Sequence, residues 1–84
     1  MEETYFAKLK KRIMLAITLL NNQAEEGDVE RNHVNYGEAL AFVQILRDMG
    51  HETDLPISVR EDNGCLKVPY IMIDGNKTEF PKGK

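Results

Sequence analysis

The fold turns on one stretch, "SVREDNGCLKVPYIMIDG", which runs from Ser58 to Gly75. Asn63-Gly64 lies near its centre. A two-residue type I′ hairpin turn needs a positive φ at both central positions, and Asn-Gly is the pair that tolerates this best. Such a turn sets Asp62 opposite Cys65 and every residue outward in step. Val59 then faces Val68, Ile57 faces Tyr70 and Leu55 faces Met72, while Arg60 and Lys67 share the other side. The apolar pairs and the turn agree on one register, and a one-residue slip would reverse every side chain. Pro69 has no N–H to give to a ladder, so it predicts a bulge or a local break. Asp74-Gly75 is a second turn signal. The expected strands are about 55–61, 66–73 and 77–80, with 81–84 as a frayed tail.

Upstream of the hairpin the spacing becomes helical. "VNYGEALAFVQILRDMGHE" (Val34–Glu52) offers Asn35 as an N-cap, Glu38 as its capping-box partner and Gly50 as a left-handed stop. This places a helix at 36–49. Earlier still, Phe6, Leu9, Ile13, Ala16, Ile17, Leu20 and Ala24 recur at helical spacing, which places a helix at 2–24. Glu2 and Glu3 suit its first turn, and Gly27 is a stop signal. Residues 25–35 read as an acidic connector. The order is α-α-β-β-β in a single domain over 1–84: an α+β fold with two antiparallel helices on one face of a two- or three-stranded antiparallel meander. The expected core is Phe6, Leu9, Ile13, Ile17, Leu20, Val43, Leu46, Ile57, Val59, Val68 and Tyr70.

At 84 residues the chain buries roughly 60–65% of its extended surface, a thin margin that small domains supplement with disulfides, metals or oligomerisation. Cys65 is the only cysteine, so no disulfide forms within the chain and no Cys-based zinc site is available. A lone thiol fits a reducing, cytoplasmic setting. The 42% hydrophobic and 30% charged composition is globular. Charge is unevenly spread: residues 25–62 hold ten acids against Arg31, Arg47 and Arg60. That acidic middle argues against a nucleic-acid-binding face, which needs clustered cations.

"KLKKR" (Lys8–Arg12) is the one basic cluster, and at helical spacing its cations fan around the helix. The apolar run behind it, Ile13–Leu20, is too short for the ~20 residues that span a bilayer. Asn21-Asn22-Gln23-Ala24-Glu25 is no export cleavage site. No membrane partner is expected.

Catalytic parts are scarce. Cys65, His33 and His51 are not brought together by spacing, and His51, Glu52 and Asp54 are too few for a metal site. There is no phosphate-binding glycine loop and no H-E-x-x-H. "KVPYIMIDG" (Lys67–Gly75) resembles the Val-Pro strand and Asp-Gly turn of glutaredoxin-like proteins. The chain has no C-x-x-C and no strand before its first helix, so the resemblance implies no redox role here. No enzyme activity, cofactor or metal is expected.

What the helices do carry is apolar surface beyond one stripe each. Tyr5, Lys8, Arg12, Leu15 and Leu19 form a second seam on the first helix at 3-4 spacing. Phe42, Ile45 and Met49 widen the apolar arc of the second. The candidate interaction surface is therefore Tyr5, Arg12, Leu15, Leu19, Phe42, Ile45 and Met49. The corresponding function is a non-catalytic protein-interaction module whose partner is itself, as a homodimer, or another protein, acting as an accessory or inhibitor protein. Two alternatives stay open. The acidic middle could mimic a nucleic-acid backbone and inhibit a nucleic-acid-binding enzyme. A small ligand such as a nucleotide could bind between protomers if polar groups converged with Arg12, Arg47 or Arg60.

Overall fold

The computed structural model describes residues 4–55 and 59–80. Helix α1 (Tyr5–Glu26) starts at Thr4, whose hydroxyl accepts from the Ala7 amide at 3.0 Å. It ends at Gly27, in the left-handed region at φ 74°, where glycine alone carries no Cβ penalty. The Gly27 and Asp28 amides donate back to the carbonyls of Ala24 and Gln23 at 3.2 and 2.9 Å. Asp28 then caps helix α2 (Val29–Asp48), accepting from the Arg31 amide at 3.2 Å.

The connector expected at 25–35 is therefore not a connector. Gly27-Asp28 is the whole turn, and the second helix starts seven residues before the expected 36. Asn35 is not an N-cap; its side chain hydrogen-bonds Gln23 across the interhelical seam. The first two turns of α2 are polar enough to hide their helical period. They are held by the Asp28 cap and by Asn32, which is fully buried. The C-terminal end is as expected, with Gly50 and His51 donating to the Arg47 and Leu46 carbonyls at 2.9 and 3.0 Å.

Among the described residues four short strands follow: β1 (Arg60–Asp62), β2 (Cys65–Lys67), β3 (Tyr70–Ile73) and β4 (Asn76–Glu79). They form two antiparallel two-stranded hairpins, β1-β2 and β3-β4. The first has the expected register, with Arg60 opposite Lys67 and Asp62 opposite Cys65. Asn63 and Gly64 hold φ of 53° and 83°, as a type I′ turn demands. Asp74 and Gly75 repeat that chemistry at 52° and 83°, and Tyr70 pairs with Glu79.

The expected meander breaks at Pro69. Strand 66–73 divides into β2 and β3 around Val68-Pro69, and the Pro69 carbonyl is taken by the Phe80 amide at 2.9 Å. The break also reverses the inward face. Val68 is buried, but beyond Pro69 it is Ile71 and Ile73 that are buried, and Tyr70 and Met72 are only half-buried. The expected Leu55–Met72 pair gives way to a Thr53–Ile73 bridge, and Leu55 joins the core. Val59 lies before β1 and packs half-buried against the core, as does Phe6. Ile57, its pairing with Tyr70 and the 81–84 tail lie outside the described residues, as do Glu2 and Glu3.

Both helices pack on the strands through β2. The contact is made with hydrogen bonds as well as apolar surface. Asn32 Nδ2 donates to the Leu66 carbonyl at 2.8 Å, and the Leu66 amide returns a bond to Asn32 Oδ1 at 2.7 Å. Two residues further along the chain, Asn21 Nδ2 donates to the Val68 carbonyl at 2.9 Å and Oδ1 accepts from the Val68 amide at 2.8 Å. Leu66 and Val68 are two apart, so both turn their backbone polar groups away from β1. Two asparagines, one from each helix, thus stand in for a missing neighbouring strand. Asn32 Nδ2 also donates to the Leu20 carbonyl at 2.7 Å and ties the helices together.

Candidate functional site

The strand contacts define an inner face on each helix. On α1 it is marked by Asn21. At 3.6 residues per turn, Tyr5, Lys8, Arg12, Leu15 and Leu19 lie about 120–180° around the helix from Asn21. On α2 the inner face is marked by Asn32, by His33, whose Nε2 is 2.8 Å from the Gly64 carbonyl, and by Arg47. The Arg47 guanidinium donates to the Thr53 and Leu55 carbonyls. Phe42, Ile45 and Met49 lie about 140–160° from Arg47 by the same rule. The two groups that sequence spacing singled out separately therefore fall on one outer face of the helical hairpin, opposite the strands.

Exposure on that face is graded. Tyr5 and Leu15 are each 60% exposed, Met49 42% and Leu19 38%, and Arg12 is exposed beside them. Phe42 and Ile45 are half-buried and rest against the core, so they form the floor of the face rather than its crest. Val34 belongs to the same face and is 66% exposed. Sequence reasoning missed it because Val34 was placed at the end of a connector. Only the Gly27-Asp28 cap pair could have put it on a helix.

Elsewhere several titratable groups help to hold the fold. His51 Nδ1 meets Asp74 Oδ2 at 2.6 Å, and the His51 ring stacks on Phe6 with centroids 4.2 Å apart. Asp74 Oδ1 accepts from the Glu52 amide at 2.9 Å. That backbone bond, the His51 contact and the charge of Lys10 hold the Asp74 carboxyl below its usual range. Lys67 bridges to Glu25 at 2.9 Å and to Asp62 at 3.6 Å. The Glu25 bond, against some desolvation, raises the Lys67 pKa. Asp54 Oδ1 accepts from the Met72 amide at 2.8 Å. Cys65 is a buried free thiol. Among the described residues no three histidine, cysteine or acidic side chains cluster as metal ligands.

Arg12, Arg47 and Arg60 are not brought together within one chain. Arg12 is on the outer face, Arg47 on the inner side of α2 and Arg60 on β1. Of the acids of the middle segment, Asp28 serves as an N-cap, Asp54 clasps the Met72 amide, and Glu25 and Asp62 pair with Lys67. The KLKKR cations fan out as expected, with Lys10 half-buried 5.4 Å over the Phe6 ring and Lys8 and Arg12 outward. Among the described residues no helix is long and apolar enough to cross a membrane. No protein-family model, curated protein or solved structure matches the chain.

Proposed function

We propose that this chain is a small non-catalytic protein-interaction module that works through the outer face of its helical hairpin. The observation that carries the reading is that Tyr5, Leu15, Leu19, Val34 and Met49 are all exposed and fall on the side of the two helices away from the strands. A single exposed hydrophobe needs no explanation, whereas several on one side favour a surface that something covers. The polar work of the fold is concentrated on the opposite side, through Asn21, Asn32, His33 and Arg47. An accessory or inhibitory role follows from occupation of a partner's surface, with no chemistry performed by this chain.

The test is fluorescence-detected sedimentation of the labelled chain in an extract of the cells that make it. Wild type is expected to sediment as a species larger than the monomer. Leu15→Glu/Leu19→Glu is expected to return it to the monomer with an unchanged circular dichroism spectrum. A wild-type chain that sediments as a monomer in that extract refutes the reading.

A further inference from the structure

We infer that the partner on this face is a second copy of the chain, docked with its α1 antiparallel to the first; this rests on the interaction reading above. The α1 seam consists of Lys8, Arg12, Leu15, Leu19, Asn22 and Glu26, all exposed. Their spacing alternates four and three, so they form one continuous strip. The strip is self-complementary when reversed about Ile17. Lys8 then meets Glu26, Arg12 meets Asn22 and Leu15 meets Leu19, each contact occurring twice about a two-fold axis. A parallel arrangement would instead set Lys8 on Lys8 and Glu26 on Glu26.

Lys8, Arg12 and Glu26 make no ion pair among the described residues. Lys8 lies in the first turn of α1 and Glu26 in the last. A cation at the N-terminal end and an acid at the C-terminal end both oppose the helix's own dipole. Against an antiparallel partner the signs become favourable, because Lys8 lies beside the partner helix's negative end and Glu26 beside its positive end. The pattern that disfavours an isolated helix is the one that favours this pair.

The available area fits a modest dimer. Two helices about 10 Å wide and about 30 Å long present about 600 Å² per protomer in projection. Both sides together reach about 1,200 Å², the lower edge of specific protein interfaces. The leucines occupy the centre of the strip and the charges its ends, matching the apolar core and polar rim of such interfaces.

The experiment is sedimentation velocity on the purified full chain from about 1 to 500 µM, for wild type, Lys8→Glu, Glu26→Lys and Lys8→Glu/Glu26→Lys. Wild type is expected to dimerise with a micromolar Kd. Each single reversal replaces two attractive contacts with two repulsive ones and is expected to weaken the dimer about tenfold. The double reversal restores the pairing and is expected to return to within about threefold of wild type. All four proteins are expected to share one circular dichroism spectrum, since Lys8 and Glu26 are both exposed. A wild-type dimer indifferent to the single reversals, or single losses that the double reversal does not repair, overturns the antiparallel pairing and leaves the interaction reading standing. A purified wild type that stays monomeric throughout overturns the second copy as partner. In that case a larger species in cell extract would still uphold the interaction reading.

Discussion

Asn32 offers the sharpest test of how this fold is held. It is fully buried on a helix otherwise capped by polar residues, and its side chain makes three hydrogen bonds, to Leu20 and to both backbone groups of Leu66. Asn32→Ala leaves those three groups without that partner. An orphaned buried polar group costs about 1–3 kcal/mol, and Leu66 is only half-buried, so water can recover part of its share. The expected loss is about 3–4 kcal/mol. A chain of 84 residues has a total stability of about 4–13 kcal/mol, so this one amide accounts for a quarter or more of it. Asn21→Ala removes the matching pair of bonds at Val68; Asn21 is half-buried but Val68 is fully buried, so the expected loss is about 2 kcal/mol.

The assay is urea unfolding followed by circular dichroism at one fixed protein concentration, since association would add to apparent stability. Asn32→Leu separates bonding from packing. It keeps the volume and makes none of the bonds, so it should lose about as much as Asn32→Ala. Amide exchange at Leu66 should accelerate in both variants. The reasoning is refuted if Asn32→Leu recovers most of the Asn32→Ala loss, or if Asn32→Ala costs no more than Asn21→Ala.

Other expectations follow from single contacts. Gly27→Ala should cost about 1 kcal/mol, because the space around Gly27 is open but its φ of 74° strains any residue with a Cβ; a thermal melt decides it. The Asp74 carboxyl is held below its usual value of 3.8, so its contribution is present above that pH and lost as pH falls through the lowered value. Asp74→Asn should therefore flatten the stability profile on the acid side of 3.8, measured by urea unfolding against pH. Lys67 has a raised pKa, so its pairing with Glu25 contributes below 10.5 and fades as pH rises above it. Glu25→Gln should remove that alkaline dependence in the same assay. The Cys65 thiol should react with a thiol reagent only as fast as the chain opens, and reaction should accelerate sharply in urea.

How much of this was legible in the sequence depends on whether the signal was local. The Asn63-Gly64 hairpin needs only its own four backbone dihedrals, so the turn and the register of the three pairs beside it were readable, whereas the apolar pairs Val59–Val68 and Leu55–Met72 further out are not part of the ladder. The inner stripe of α1 was readable for the same reason: Leu9, Ile13, Ala16, Ile17 and Leu20 are all buried. The start of α2 was not. Val29 to Asn35 contains two valines with no apolar period, and what makes it helical is Asp28 before it and Leu66 across from Asn32. A buried asparagine looks like a surface asparagine until the strand it serves is in place. Pro69 announced a break but not its consequence. Whether Tyr70 or Ile71 turns inward depends on how the chain resumes pairing, and that was set by β4 and by the Phe80–Pro69 bond.

The outer face was half legible for a related reason. Spacing identifies seams on each helix, but not the angle between helices or the side that the strands take. The asparagine contacts decide the latter. Because β2 is held by side-chain amides, the strands need hydrogen-bonding residues on the helix face they cover. This places polar residues where a small domain would ordinarily spend its apolar surface. The leucines left over, Leu15 and Leu19, project on the opposite side with Lys8 and Glu26 at either end. A monomer gains nothing from that distribution: the leucines remain wet and the end charges oppose the helix dipole. An antiparallel partner reverses both effects at once, and it does so with the same six residues on each side. The polar grip on the strands and the apolar outer face are thus two consequences of one arrangement, and the proposed dimer is the state in which that arrangement is satisfied throughout.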